Sequence, residues 1–523
     1  MNPTCRCRVA ALLIGLLTVA LPGCGAENAF DASGRQGSSD SGLSSRALQP
    51  RQVKPVPITG NKGAASLANF KQGVLLATLQ GGDTKTRKLR YAASLGDGTE
   101  AEANFEDSAA PERSVEAVRR SPQSRARAVF DDWLERRSRN DLPVERSADA
   151  PLRAQVAHQV GEHQAFWVSE QTGKGKDDFR KVQQPARLIA ITAHAYFYVD
   201  ERYLGANGRF AQQAALDQVI RYFEEVAVPV DTRYFGTYPA PPSDIDNDAR
   251  LTVLFTKMYD GVVGYFDPEN ATREAESNQR DMLYAGVEPF QENSGFNTVK
   301  ATLIHELVHM IVHNHKVWGP EKRGQKALDE NKFLDEGMAV VAEQLGGLAL
   351  PGGEEVSVDY VREFLADNPS APLIDERDDY LYGTGYLFVL YLMEQHGQDV
   401  LRKLTQSNTT GIRNVEQATG RHFGEVFRDW SVALFATDYS ADPRYNFKTV
   451  KLHATYGNKH LNGLKVTQAA NLPVREDVKA RPWSIIPIGF KATRPGATLR
   501  VEVVGAKGEG LEATLLDTST LRD

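Results

Sequence analysis

Hydrophobic residues along the chain recur with two different periods, and the switches between them mark the elements. Short runs with alternating or continuous apolar character predict strands: VLLATL from residue 74, KLRYAAS from 88, AFWV from 165, and RLIAITAHAYFYVD over 187–200. The segment FAQQAALDQVIRYFEEV at 210–226 changes to a helical period, and DARLTVLFTKM at 248–258 returns to a strand. Beyond residue 297 the helical period dominates. It runs through NTVKATLIHELVHMIVH and KFLDEGMAVVAEQL, then YLFVLYLMEQH at 386–396 and HFGEVFRDWSVALFA at 422–436. From about residue 445 alternation resumes, in WSIIPIGFKA and ATLRVEVVGA. Strands, then strands mixed with helices, then helices, then strands again predict an α+β protein.

Punctuation between these blocks suggests the domains. Residues 24–58 are rich in Ser, Gly and Pro and read as a flexible tether. A β-rich region is expected over 59–184, a mixed domain of strands and helices over 185–440, and a small C-terminal β-domain over 441–523. Within the first of these, the stretch 111–153 gathers arginines around AVFDDWLERRSR. It reads as one amphipathic connecting helix, with an inhibitory prosegment as the alternative. Just before the strand at 251–256, Asp244, Asp246 and Asp248 alternate as in a calcium loop. The sixth position is Ala249 and the twelfth is Phe255, so a turn opening a strand fits better than a Ca2+ site.

The first residues change the picture of where the chain works. Arg6 and Arg8 precede an apolar run from Val9 to Leu21, shorter than the ~20 residues of a membrane-spanning helix. This is the pattern of an export signal, residues 1–23, and it ends in Leu21-Pro22-Gly23-Cys24. That ending resembles the bacterial lipobox, which implies lipid on Cys24 and an extracytoplasmic chain held at a membrane. In a cell with two membranes Gly25 points to the outer one. Cleavage nearby without lipid is the other reading. All three cysteines, Cys5, Cys7 and Cys24, lie here, so the body has none to serve as nucleophile or metal ligand. A net charge of −7 argues against nucleic acid as a partner, and the expected state is a monomer.

The chemistry concentrates in one helix. In NTVKATLIHELVHMIVHNHK the apolar residues Leu303, Ile304, Leu307, Met310 and Ile311 gather on one face. His305 and His309 are one turn apart, about 40° from each other around the axis, so both imidazoles can share one metal ion. Glu306 follows His305, where its carboxylate reaches water at the metal. This HExxH arrangement supplies two ligands and a general base. A catalytic zinc needs a third protein ligand and an open position. Glu336, in the first turns of KFLDEGMAVVAEQL, is the better candidate, and Glu343 two turns later can hydrogen-bond a ligand histidine. The rival His315 has the spacing of a third histidine ligand, but Val312 stands where a glycine would have to break the helix.

HELVHMI followed by FLDEGMAVVAE resembles the Glu-zincin metallopeptidases, most closely the hyicolysin family. The segments DIDNDARLTVLF, GVVGYF, SNQRDMLY at 277–284 and GTGYLFVLYL at 383–392 are similar too, and the likeness covers roughly residues 185–440. Four residues after Glu336, where thermolysin-like enzymes carry an aspartate, this chain has Val340. The resemblance implies a zinc-dependent endopeptidase with a zincin-like catalytic domain and one Zn2+. His305, His309 and Glu336 would be ligands and Glu306 the base. Among Tyr380, Tyr382 and Tyr386, a phenol is expected to assist at the oxyanion, with Tyr382 and Tyr386 as the candidates. The strand at 251–256 is expected to be the edge that pairs with an extended protein or peptide substrate. A binding lipoprotein with a structural or degenerate metal site, or a zinc hydrolase acting on non-protein amides, are the competing classes.

Overall fold

In the computed structural model the described residues are 52–96, 112–113, 130, 134, 157–173, 178–237, 246, 248–259, 261–291, 296–322, 324–350, 355–367, 371–375 and 381–519. The expected export signal, Cys24 and most of the expected tether lie outside them, as do Asp244 and Tyr380. No helix among them is long and apolar enough to cross a membrane.

The architecture is α+β, and its first surprise concerns the two β-rich regions. They are one sandwich rather than two domains, because strands from both ends of the chain interleave. In one sheet Gly510–Asp517 lies between Gln52–Pro55 and Gln72–Gln80, with Ile486–Lys491 on the other side of the latter. In the other, Arg87–Gly96 is flanked by Thr498–Val504 and Val474–Ala480. Arg87–Gly96 buries alternate residues, Leu89, Tyr91 and Ala93, against Leu75, Leu79, Leu499, Val501 and Leu515 of a shared core. Neither set can close such a core alone, so the separate domains expected at 59–184 and 441–523 are corrected to one. The first sheet also turns Val74, Leu76 and Leu516 toward the main core.

The mixed region expected from residue 185 begins earlier. Its six-stranded sheet runs Gly264–Phe266, Met282–Gly286, Leu251–Thr256, Ala195–Asp200, Phe179–Ile191 and His163–Gln171. The segment 187–200 is therefore the end of one strand and the whole of the next. Leu251–Thr256 pairs in parallel with both neighbours and is buried at all six positions. It is an interior strand, not the expected edge; a run apolar on both faces belongs in the middle of a sheet. The edge beside the helix Phe296–His313 is Gly264–Phe266, which pairs antiparallel with Met282–Gly286. Most of the arginine-rich stretch falls outside the described residues, but Phe130 is fully buried against Phe179, Tyr259 and Tyr265 on one face of this sheet.

Four helices complete the frame. The histidine helix Phe296–His313 packs on the opposite face of the sheet, and the glutamate helix Lys332–Leu345 packs on it. Leu381–His396 lies against the glutamate helix and against Glu355–Asp367. Glycines allow this close approach. A Cβ on Gly337 would fall 2.5 Å from the Gly385 carbonyl oxygen, and one on Gly385 would fall 2.6 Å from that of Phe333. Gly385→Val should therefore destabilise the chain by about 1–3 kcal/mol through overpacking. A lowered midpoint in urea unfolding checks this; an unchanged midpoint would show that the helices separate freely.

Candidate metal centre

His305 and His309 leave the histidine helix on adjoining turns, with ring centroids 4.8 Å apart and planes at 77°. Their apolar neighbours Leu303, Ile304, Leu307, Met310 and Ile311 are fully buried and fix the rotation of the helix. Glu336 enters from the glutamate helix. Its Oε2 lies 3.3 Å from His305 Nε2 and 3.7 Å from His309 Nε2, so one carboxylate oxygen faces both imidazoles. One donor atom from each of the three residues fits within a 4.8 Å span, the one such group of three found among the described residues.

Each opposite ring nitrogen also has a carboxylate close by. His305 Nδ1 contacts Glu343 Oε1 at 2.8 Å, as expected. His309 Nδ1 lies 2.9 Å from Asp335 Oδ2, a partner not foreseen. With a carboxylate behind each Nδ1, the Nε2 lone pair is the one directed at the shared point. This orienting arrangement is typical of histidine ligands to metals. Two imidazoles and a carboxylate form a donor set suited to zinc.

Electrostatics say the same about demand for positive charge. Burial works against protonation of His305, but Glu336 and Glu343 outweigh it and raise its pKa well above the usual value. Burial likewise opposes protonation of His309, yet Asp335 and Glu336 bring it up to about 9. Glu343 is shifted upward, burial overcoming the His305 contact. Several carboxylates closing on one buried and one partly buried imidazole make a site that favours a cation, whether proton or metal. Replacing Asp335 or Glu343 by its amide should weaken zinc binding by roughly 10–100-fold, since each orients a ligand from outside. Competition against a chelator measures it; affinity equal to the parent's would deny the orienting role.

The joint between the two ligand helices is built in. Past His313 the chain makes a wider turn, Asn314–Trp318, which carries Lys316 inward to Glu330 at 3.0 Å. Glu330 also accepts from the amides of Asn331, at the start of the glutamate helix, and Gly411. His315, on the same wide turn, packs against Gly236, where a Cβ would come within 2.9 Å of its Nε2. It stands outside the ligand group.

Glu306 is 2% exposed and lines a cleft together with His305, Tyr360 and Tyr382. Its Oε2 accepts from the Phe266 amide at 2.9 Å. Tyr382 stacks on His305 at 6.3 Å and on Tyr360 at 5.0 Å, so it belongs to the cleft wall. Tyr386, one turn deeper, is fully buried and donates to Gln344 Oε1 at 2.9 Å. Its candidacy at the oxyanion is corrected on that ground. Asp246 and Asp248 are engaged in opening a strand: Asp246 accepts from the Asp248 amide, and Asp248 from Tyr196 and the Arg250 amide.

The arrangement defines a class, a two-histidine, one-carboxylate centre with a further glutamate beside it. No family model matches the chain, and no curated protein matches it. Among solved structures it is similar to a variant of an M1 zinc metallopeptidase from Deinococcus radiodurans, bound to a Tyr-Ser-Ala substrate. The TM-score is 0.29 at 13% identity, over 54% of this chain and 62% of that one. The match thus spans less than two thirds of that enzyme. A likeness so remote leaves the centre to be read from its own geometry.

Proposed function

We propose that the chain is a zinc metalloendopeptidase of the hyicolysin-like, gluzincin type, exported and held at a membrane by lipid on Cys24. The observation that carries the reading is Glu306, which lines one cleft with His305, the residue that converges with His309 and Glu336. A purely structural metal centre has no use for a carboxylate there.

Zinc held by these three residues would supply Lewis acidity, lowering the pKa of water toward ~7 and polarising the scissile carbonyl. Glu306 accepts the proton that the attacking water gives up and returns it to the leaving amine. Asp335 and Glu343 keep the imidazoles aimed. Tyr382 is the phenol left at the cleft wall to assist the oxyanion. An extended peptide would add to the Gly264–Phe266 edge, which places its backbone above Glu306.

The direct test is casein hydrolysis by the full chain, with and without a chelator. Loss on chelation and recovery with Zn2+ are expected. A chain that binds zinc but leaves casein intact while cleaving small amides would favour the non-protein substrate class instead. For the anchor, Cys24→Ser should move the protein from the membrane fraction to the soluble one; retention in membranes would contradict lipid on that residue.

A further inference from the structure

We propose that Lys181 is a positioning residue for Glu306, acting through Asp267 and the backbone amide of Phe266. Its consequence for catalysis rests on the peptidase reading above; the positioning itself does not.

Phe266 is the last residue of the edge strand, and its amide donates to Glu306 Oε2 at 2.9 Å. That bond locates the carboxylate only if the strand end is itself located. Asp267 follows immediately, and its side chain is fixed through both oxygens. Oδ1 accepts from the Glu269 amide at 3.0 Å, capping the turn Pro268–Ala271, while Oδ2 pairs with Lys181 Nζ. Lys181 and Asp267 side chains are 1% and 2% exposed. Burial opposes the lysine charge, but Asp267 outweighs it and raises the lysine pKa. A buried ion pair tolerates little displacement, because neither charge has water to fall back on.

Lys181 reaches this point from a distant part of the sheet. Its strand pairs with Ala195–Asp200 only from Ala186 onward. Upstream of that, the hairpin His163–Gln171 with Phe179–Ile191 extends to the edge-strand region. There the Ser169 amide donates to Tyr265 Oη at 3.3 Å, and the Trp167 amide to Asn278 Oδ1 at 2.7 Å. The tie therefore holds the edge strand from the face opposite the histidine helix. A base anchored this way meets each substrate in one orientation, an advantage that appears in kcat rather than KM.

Two readouts test this on the full chain: amide hydrogen exchange at Phe266, and kcat and KM on a peptide substrate with zinc content recorded. In Glu306→Ala the Phe266 amide should exchange at least about tenfold faster than in the parent. Lys181→Met should speed the same amide and lower kcat about tenfold or more, with KM within about twofold and zinc retained. Because Lys181→Met leaves Asp267 buried and unpaired, the double variant Lys181→Met with Asp267→Asn removes both charges and keeps the turn cap. The same two changes are expected in it. Unaltered Phe266 exchange in the double variant, or an unaltered kcat beside faster exchange, would overturn the proposal. A parent that cleaves no peptide would instead defeat the peptidase reading, and the exchange rates would still decide whether Lys181 positions Glu306.

Discussion

Glu306→Gln is expected to lower peptide hydrolysis by about 10²–10⁴-fold, the range a positioned general base contributes, while zinc stays bound. Glutamine preserves length, volume and helix propensity, so neither the buried position nor the helix should suffer. Its amide oxygen can still accept from the Phe266 amide. What it cannot do is take a proton from water at neutral pH. His305, His309 and Glu336 are untouched, so metal content separates this loss from damage to the site. Turnover of casein within about tenfold of the parent would remove Glu306 from the mechanism.

Glu336→Ala should act on binding. Its Oε2 is the atom that faces both Nε2 nitrogens, at 3.3 and 3.7 Å, and no other carboxylate joins that group among the described residues. Zinc affinity should fall by more than the roughly 10–100-fold typical of losing an outer partner, and hydrolysis with it. His315 is not expected to substitute, because its ring is packed against Gly236 on the wide turn beyond the helix. Equilibrium dialysis with Zn2+ measures the effect. Metal retained in Glu336→Ala and lost in His315→Ala would reassign the third ligand.

Much of the centre could be read in the residue pattern because its parts are local. The 3.6-residue period of TLIHELVHMI sets Leu303, Leu307 and Ile311 inward and leaves His305 and His309 on one side, and the structure has them so. Glu336 and Glu343 share a face of a second periodic segment, and both reach the imidazoles. Asp335 escaped notice because it precedes Glu336, a position a helical wheel rotates about 100° away. The contact forms because His309 is one turn further along its own helix. An acidic pair opening a helix after HExxH was the available signal.

What stayed hidden depends on partners far apart in the chain. Nothing near Gln52–Pro55 announces that it will pair with Gly510–Asp517, because strand periodicity reports a face and not a neighbour. The true edge strand, Gly264–Phe266, has three residues, too few for a period to show. LTVLFT drew attention as the stronger strand, and its unbroken apolar run was the clue that it lies inside the sheet. Tyr382 and Tyr386 lie one turn apart, yet Tyr382 stacks on Tyr360 of Glu355–Asp367 while Tyr386 reaches Gln344 of the glutamate helix.

A zinc ion held by His305, His309 and Glu336 near Glu306 would have a fixed place in a crystal. Crystals of the full chain, measured on either side of the zinc absorption edge, test it most directly. One anomalous peak is expected at about 2.0–2.1 Å from both Nε2 atoms and within about 2.0–2.2 Å of a Glu336 oxygen. A zinc-loaded crystal with no peak there, or with a peak bound by His315 in place of Glu336, would contradict it.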